Sequence, residues 1–157
     1  MARFRIRNDA KRWFSEVSGF EHFRTDFDQY YFCLLAGFAS GQTNEQDKTT
    51  EMVDHFVEDY KEASNFLIGL LVMAELKKGG IEVFEREPVR DMFRRLVDPS
   101  SPNQLTDAGM RRMNAYASGG YDYLSSVRDT KPYSGEEFLR DFSKIIEQAF
   151  SEDSLSI

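Results

Sequence analysis

The sequence predicts a mainly α protein: a compact helical domain over residues 1–150, with a short N-terminal β-strand and a ribbon-helix-helix-like start, and then a disordered tail over 151–157. Three observations carry this reading. Apolar residues recur at helical spacing through most of the chain, strand-like alternation is confined to its first residues, and glycine, proline and polar clusters punctuate the helical segments. The 157 residues, 41% hydrophobic and 30% charged, are enough to close one sizeable core.

Each element follows from local chemistry. Arg3, Arg5 and Arg7 alternate with Phe4 and Ile6, the period of a half-buried strand. Asn8 or Asp9 can cap a short helix through Val17, ended by Gly19. Thr25 caps a second helix, with Asp26 and Asp28 in its positive first turn, which runs through Tyr30, Tyr31, Leu34, Leu35 and Phe38 to Gly41. Gln42 to Lys48 reads as a loop. A long helix is expected from about Thr50 to Lys78, amphipathic around Val53, Phe56, Val57 and Tyr60, its apolar second half from Phe66 to Ala74 forming the central buried helix, with Gly79 and Gly80 at its end. Ile81 to Phe84 is ambiguous between strand and turn. Pro88 suits the first turn of a helix reaching Val97, and 98–103 carries turn chemistry. A further helix extends from Thr106 or Asp107 to about Val127. Ser134 and Glu137 have the spacing of a capping box opening the last helix, whose inward face is expected to be Phe138, Leu139, Phe142, Ile145, Ile146, Ala149 and Phe150.

The net charge of −7 is unevenly placed. Arg3, Arg5, Arg7, Lys11, Arg12 and Arg24 outnumber the acids of the first 24 residues, whereas the remainder is strongly acidic. An acidic body argues against a generic nucleic-acid binder and confines any DNA contact to the basic end. In β-ribbon readers, one strand face carries arginines to guanine edges or phosphates while the other packs on helices. On that basis Arg3, Arg5, Arg7, Lys11 and Arg12 are the candidate DNA-binding residues. An edge strand also carries charge simply to stay unpaired.

Other chemistries find little support. Cys33, between Phe32 and Leu34, reads as a small buried thiol, and a lone cysteine forms no internal disulfide, which makes a cytoplasmic setting the expectation. His22 and His55 are the two histidines, and the turns carrying Asp54, His55, Glu58 and Asp59 read as a solvated acidic face, so no metal or cofactor is expected. Glu85, Glu87 and Asp91 near Arg86 and Arg90 suit exposed helix salt bridges. No phosphate-binding loop is present, and neither a secretory signal nor a membrane span is read.

The segment from Met110 to Leu124 places Gly119 and Gly120 inside an amphipathic helix crowded with Tyr116, Tyr121 and Tyr123. Glycine there costs about 1 kcal/mol against alanine, so close approach of a second backbone, walled by the tyrosines, is the expected compensation.

Three segments resemble the small bacterial family described as DNA phosphorothioation-associated protein 4, or Dnd system-associated protein 4. They are the aromatic and threonine entry into an apolar helix from Phe23 to Gly37, the apolar helix Ile68 to Glu75 closing on Ala-Glu, and the Tyr-Ala-x-Gly-Gly segment from Tyr116 to Leu124. The resemblance implies a gene neighbourhood for DNA modification and phage defence, and supplies no catalytic residues. The expected function is therefore a non-enzymatic accessory subunit of such a system. It would dock proteins of the modification or restriction machinery and reach duplex DNA through its basic strand. The alternative is a homo-oligomeric interaction module, a possible homodimer, in which the strand pairs with its copy and the glycine-pair helix is buried.

Overall fold

The computed structural model describes the backbone of residues 2–18, 23–45, 48–128 and 130–155, and side chains as far as Ser151. Within these residues the protein is mainly helical with one two-stranded antiparallel sheet. Strand β1 (Arg5–Arg7) leads into α1 (Asn8–Trp13), α2 (Asp26–Ser40) and β2 (Thr49–Glu51). Helices α3 (Ser64–Lys78), α4 (Arg86–Leu96), α5 (Asp107–Val127) and α6 (Gly135–Leu155) complete the order. No helix among the described residues is long and apolar enough to cross a membrane.

The chain forms two compact units. The first takes in the residues up to Phe4 together with Val53–Met113, and the second takes in Arg5–Met52 with the chain from Asn114 onward.

The long helix expected from Thr50 to Lys78 is replaced by β2, which belongs to the second unit, and in the first unit by a loop with a 3-10 turn over Glu58–Tyr60 and the shorter α3. The reason is local. Thr49 and Thr50 are β-branched and suit a strand, and the helical spacing of Val53, Phe56, Val57 and Tyr60 is coincidental, because Phe56 alone of these is buried. Phe56 packs edge-on against Phe4 with ring centroids 5.0 Å apart. Helix α3 is not the fully buried helix that its apolar run suggests. Leu67, Ile68, Leu71, Val72 and Leu76 face the core, whereas Phe66 and Met73 are 62% and 53% exposed.

Two buried polar groups tie this unit together. Glu75 takes the Arg112 guanidinium at 2.6 Å. The Asn103 amide donates to the backbone oxygens of Asp54 (2.9 Å) and Ala2 (3.3 Å), and its oxygen accepts the Leu105 N–H at 3.0 Å. The proline-flanked loop is thereby pinned, and Val97 and Leu105 form an antiparallel bridge across it.

In the second unit β1 pairs antiparallel with β2, setting Arg5 opposite Glu51, Ile6 opposite Thr50 and Arg7 opposite Thr49. The strand finds its partner within the chain. Helix α1 begins at Asn8 but ends at Trp13 rather than Val17, because Ser15 and Val17 N–H groups reach carbonyls three residues back and tighten the chain into turns. Gly19 lies outside the described residues. Thr25 and Asp28 form a reciprocal capping box on α2, and Gly41 closes the helix at φ +74°.

Helix α6 packs along α2 over an aromatic core, burying Phe138, Phe142, Ile145 and Ala149, whereas Phe150, expected to face inward, is exposed. Phe138 lies 5.4 to 5.5 Å, centroid to centroid, from Phe14, Phe23 and Phe32. Ser134 Oγ accepts the Glu137 N–H at 3.4 Å, but the Glu137 carboxylate turns to the buried Arg128, which also binds Asp141. Helix α6 continues to Leu155 where a disordered tail is expected from 151, since no glycine or proline interrupts the sequence there.

Candidate nucleic-acid edge and glycine seam

The alternation of the basic strand survives as alternation of burial: Arg3 and Arg5 are exposed, Phe4 and Ile6 are buried. The five candidate DNA-binding side chains nevertheless have different surroundings. Arg3, in the first unit, acts electrostatically on Asp54. In the second unit Arg5 donates through Nε to Thr49 Oγ1 at 2.8 Å and faces Glu51 at 3.5 Å, with its side chain 43% exposed. Lys11 lies 3.2 Å from Asp26, and Arg12 is exposed at the end of α1.

Arg7 is withdrawn into the protein. Its guanidinium donates twice to Asp9, through Nε at 2.9 Å and Nη2 at 2.7 Å. Nη1 donates to Asp122 at 2.5 Å and to the Ser118 carbonyl at 3.3 Å. The Tyr121 ring lies beneath it, 4.8 Å from the guanidinium carbon. Burial alone would lower the pKa of Arg7, but its hydrogen bonds to Asp9 and Asp122 outweigh burial and hold it above the ordinary value. Asn44 completes the cluster by donating to the second Asp122 oxygen at 2.7 Å. This arginine joins β1, α1 and α5, so its charge is spent on carboxylates of the same unit.

The outer edge of β1 is also engaged. Its Arg5 N–H donates to Asn114 Oδ1 at 3.1 Å, and the same oxygen accepts the hydroxyl of the fully buried Tyr30 at 2.8 Å.

The glycine pair lies where α5 meets α2 and the segment after it. A Cβ built on Gly120 would overlap the Cys33 carbonyl, and one on Gly119 would overlap the Gln42 carbonyl. Gly37 on α2 is pressed against the Tyr116 carbonyl in the same way, so the two helices meet backbone to backbone from both sides. Tyr116 is fully buried and Tyr123 nearly so, while Tyr121 is half-buried against Arg7 and edge-on to Trp13. Burial raises the Tyr121 pKa, and the nearby Asp9 carboxylate adds to the shift.

Cys33 sits at this seam, buried, and desolvation pushes its thiol far up, so the reactive thiolate is disfavoured. Asp54 and His55 pair with each other at 3.0 Å on the surface of the first unit, whereas His22 lies outside the described residues. Among the described residues no three His, Cys, Asp or Glu side chains gather closely enough to hold a metal ion.

Sequence reading did not single out Gly37, Asp122 or Asn44. Only Gly37 left a signal, as a glycine inside an apolar helix. Comparison with protein-family profiles, with curated proteins and with solved structures returns no match.

Proposed function

We propose that this protein is a non-enzymatic accessory subunit of a bacterial DNA-modification or anti-phage system. It docks proteins of that system through its first unit and touches duplex DNA through Arg3 and Arg5. The sequence resemblance supports the setting. The observation that carries the docking role is the outward stripe of α3, where Phe66 and Met73 stand more than half exposed two helical turns apart. Large apolar side chains held open on a rigid helix are the usual anchors of a protein interface.

Co-expression with the modification and restriction proteins tests this, using Phe66→Glu with Met73→Glu as the comparison. Co-purification of the wild type and its loss in the variant is the expected pair of results. Equal recovery of both refutes the docking role. For the DNA half, a mobility shift of duplex DNA should weaken steeply with salt and disappear in Arg3→Ala with Arg5→Ala. No shift at low salt removes DNA from the proposal.

A further inference from the structure

Helix α3 leaves one apolar face uncovered. Stepping about 100° per residue, Phe66, Gly69, Leu70, Met73 and Lys77 fall within about 100° of arc, opposite the buried Leu67, Ile68 and Leu71. Phe66 and Met73 are more than half exposed, and Lys77 is exposed in the last turn. A Cβ built on Gly69 meets nothing within 4 Å, so the face carries a notch between two large side chains. Lys61 and Ala63 have helical backbone, which continues the spiral one turn back and brings the exposed Glu62 onto the same arc. Lys61 and Lys78 fall outside it.

This face is complementary to its own reversal. Phe66 stands three residues before Gly69 and Met73 three after Leu70, while Glu62 stands seven before and Lys77 seven after. One end is therefore acidic, the other basic, and apolar residues occupy the middle. A second copy laid antiparallel across it, with a two-fold axis between Gly69 and Leu70, meets an opposite charge at each end. Glu62 of each copy faces Lys77 of the other, Phe66 faces Met73, and Leu70 enters the notch at Gly69. Helices crossing at about 20° stay close over this length, so both charged pairs are within reach of their long side chains. Such reciprocity is what an isologous contact requires, and it identifies the occupant as a second copy.

We propose that, in the free protein, two copies pair through antiparallel α3 helices. This pairing rests on the reading of α3 as a docking surface and names what covers it when no other protein does. Because the pair covers Phe66 and Met73, self-association and docking of a partner protein exclude each other. The contact uses neither β1, which pairs with β2, nor the glycine pair, which is consumed inside the second unit. It spans about three helical turns, less than a standard interface, so the dimer is weak and depends on concentration.

Sedimentation equilibrium of the full chain, from micromolar to millimolar concentration, tests this with Glu62→Lys, Lys77→Glu and the double variant. The wild type should approach dimer mass at the upper concentrations. Each single substitution sets two like-charged pairs in place of two opposite ones and should raise the dissociation constant about tenfold. The double variant restores opposite charges only if the helices run antiparallel, and should recover wild-type association. All three keep Phe66 and Met73, and circular dichroism establishes that they are folded. A wild type monomeric throughout, unchanged association in either single variant, or no recovery in the double variant overturns the self-pairing. Co-purification with partner proteins that is lost in Phe66→Glu with Met73→Glu would then leave the docking role standing, whereas failure of both experiments removes the α3 interface altogether.

Discussion

Replacing Gly120 by alanine is the sharpest test of the seam between α2 and α5. In an unobstructed helix this substitution stabilises by about 1 kcal/mol, because alanine loses less conformational freedom. Here the added methyl would overlap the Cys33 carbonyl oxygen and come within 2.5 Å of the Gly37 nitrogen. Both are backbone atoms, so no rotamer change relieves the overlap and the helices must separate. Overpacking of a core costs about 1–3 kcal/mol, and rigid backbone on both sides puts this site at the upper end. Subtracting the helical gain leaves a net loss of about 2 kcal/mol. With a urea slope of about 2 kcal/mol per molar, the unfolding midpoint should fall by about 1 M. Gly69 on α3 supplies the control, since a Cβ there meets nothing within 4 Å. Gly69→Ala should therefore raise stability by up to about 1 kcal/mol. A Gly120→Ala protein as stable as the wild type, or a Gly69→Ala protein that is clearly weaker, refutes the close-approach reasoning.

Other perturbations separate structural from surface charges. Arg7→Met, which leaves Asp9 and Asp122 facing each other across an apolar side chain, should cost about 1–3 kcal/mol, below the range for fully buried pairs because both carboxylates are partly exposed. Arg5→Ala should cost under about 1 kcal/mol, so equal urea midpoints for the two variants would contradict the clamp. Arg112→Met leaves Glu75, 5% exposed, as a buried carboxylate without that guanidinium, and should cost about 3 kcal/mol in thermal or urea unfolding. Asp54 is held below its ordinary pKa, first by its hydrogen bond from His55 and further by the charge of Arg3. Its contribution is present above the unfolded carboxyl pKa and is lost as pH falls through the lowered folded value. In His55→Ala, carboxyl NMR titration should place Asp54 higher than in the wild type. An unchanged titration refutes the assignment of cause.

Helices with two independent signals were legible in the sequence, and those with one were not. Helix α2 has a capping box at Thr25 and Asp28, an apolar face and a terminating glycine, and all three agree with its observed bounds. Helix α5 is long and strongly periodic. By contrast, the segment from Thr50 to Tyr60 offered periodicity alone, and pairing of Thr49–Glu51 with β1, set by residues more than 40 positions away, overrode it. The apolar run of α3 was equally silent about its surroundings. Composition shows that residues 66–74 are apolar, but only tertiary packing decides that Leu67 and Leu71 turn inward while Phe66 and Met73 remain exposed.

The basic strand shows how far spacing alone can carry a functional reading. Arg3, Arg5 and Arg7 are equivalent by alternation, since alternate residues of a strand share a face. They diverge because equivalence along a strand says nothing about what stands opposite. Asp9 follows Arg7 at the start of α1, and Asp122 is delivered by α5, whose close approach is set by Gly119 and Gly120. The glycine seam therefore decides the fate of Arg7: a helix held further away would leave Asp122 out of reach and the guanidinium available. The seam and the clamp are consequently coupled, which a double-mutant cycle between Gly120→Ala and Arg7→Met can measure. If separating the helices already breaks the Arg7 clamp, the combined loss should fall short of the sum by more than about 0.5 kcal/mol. Additive losses would mean that Arg7 keeps its carboxylates whatever the helix spacing, and the coupling argued from the glycines would be wrong.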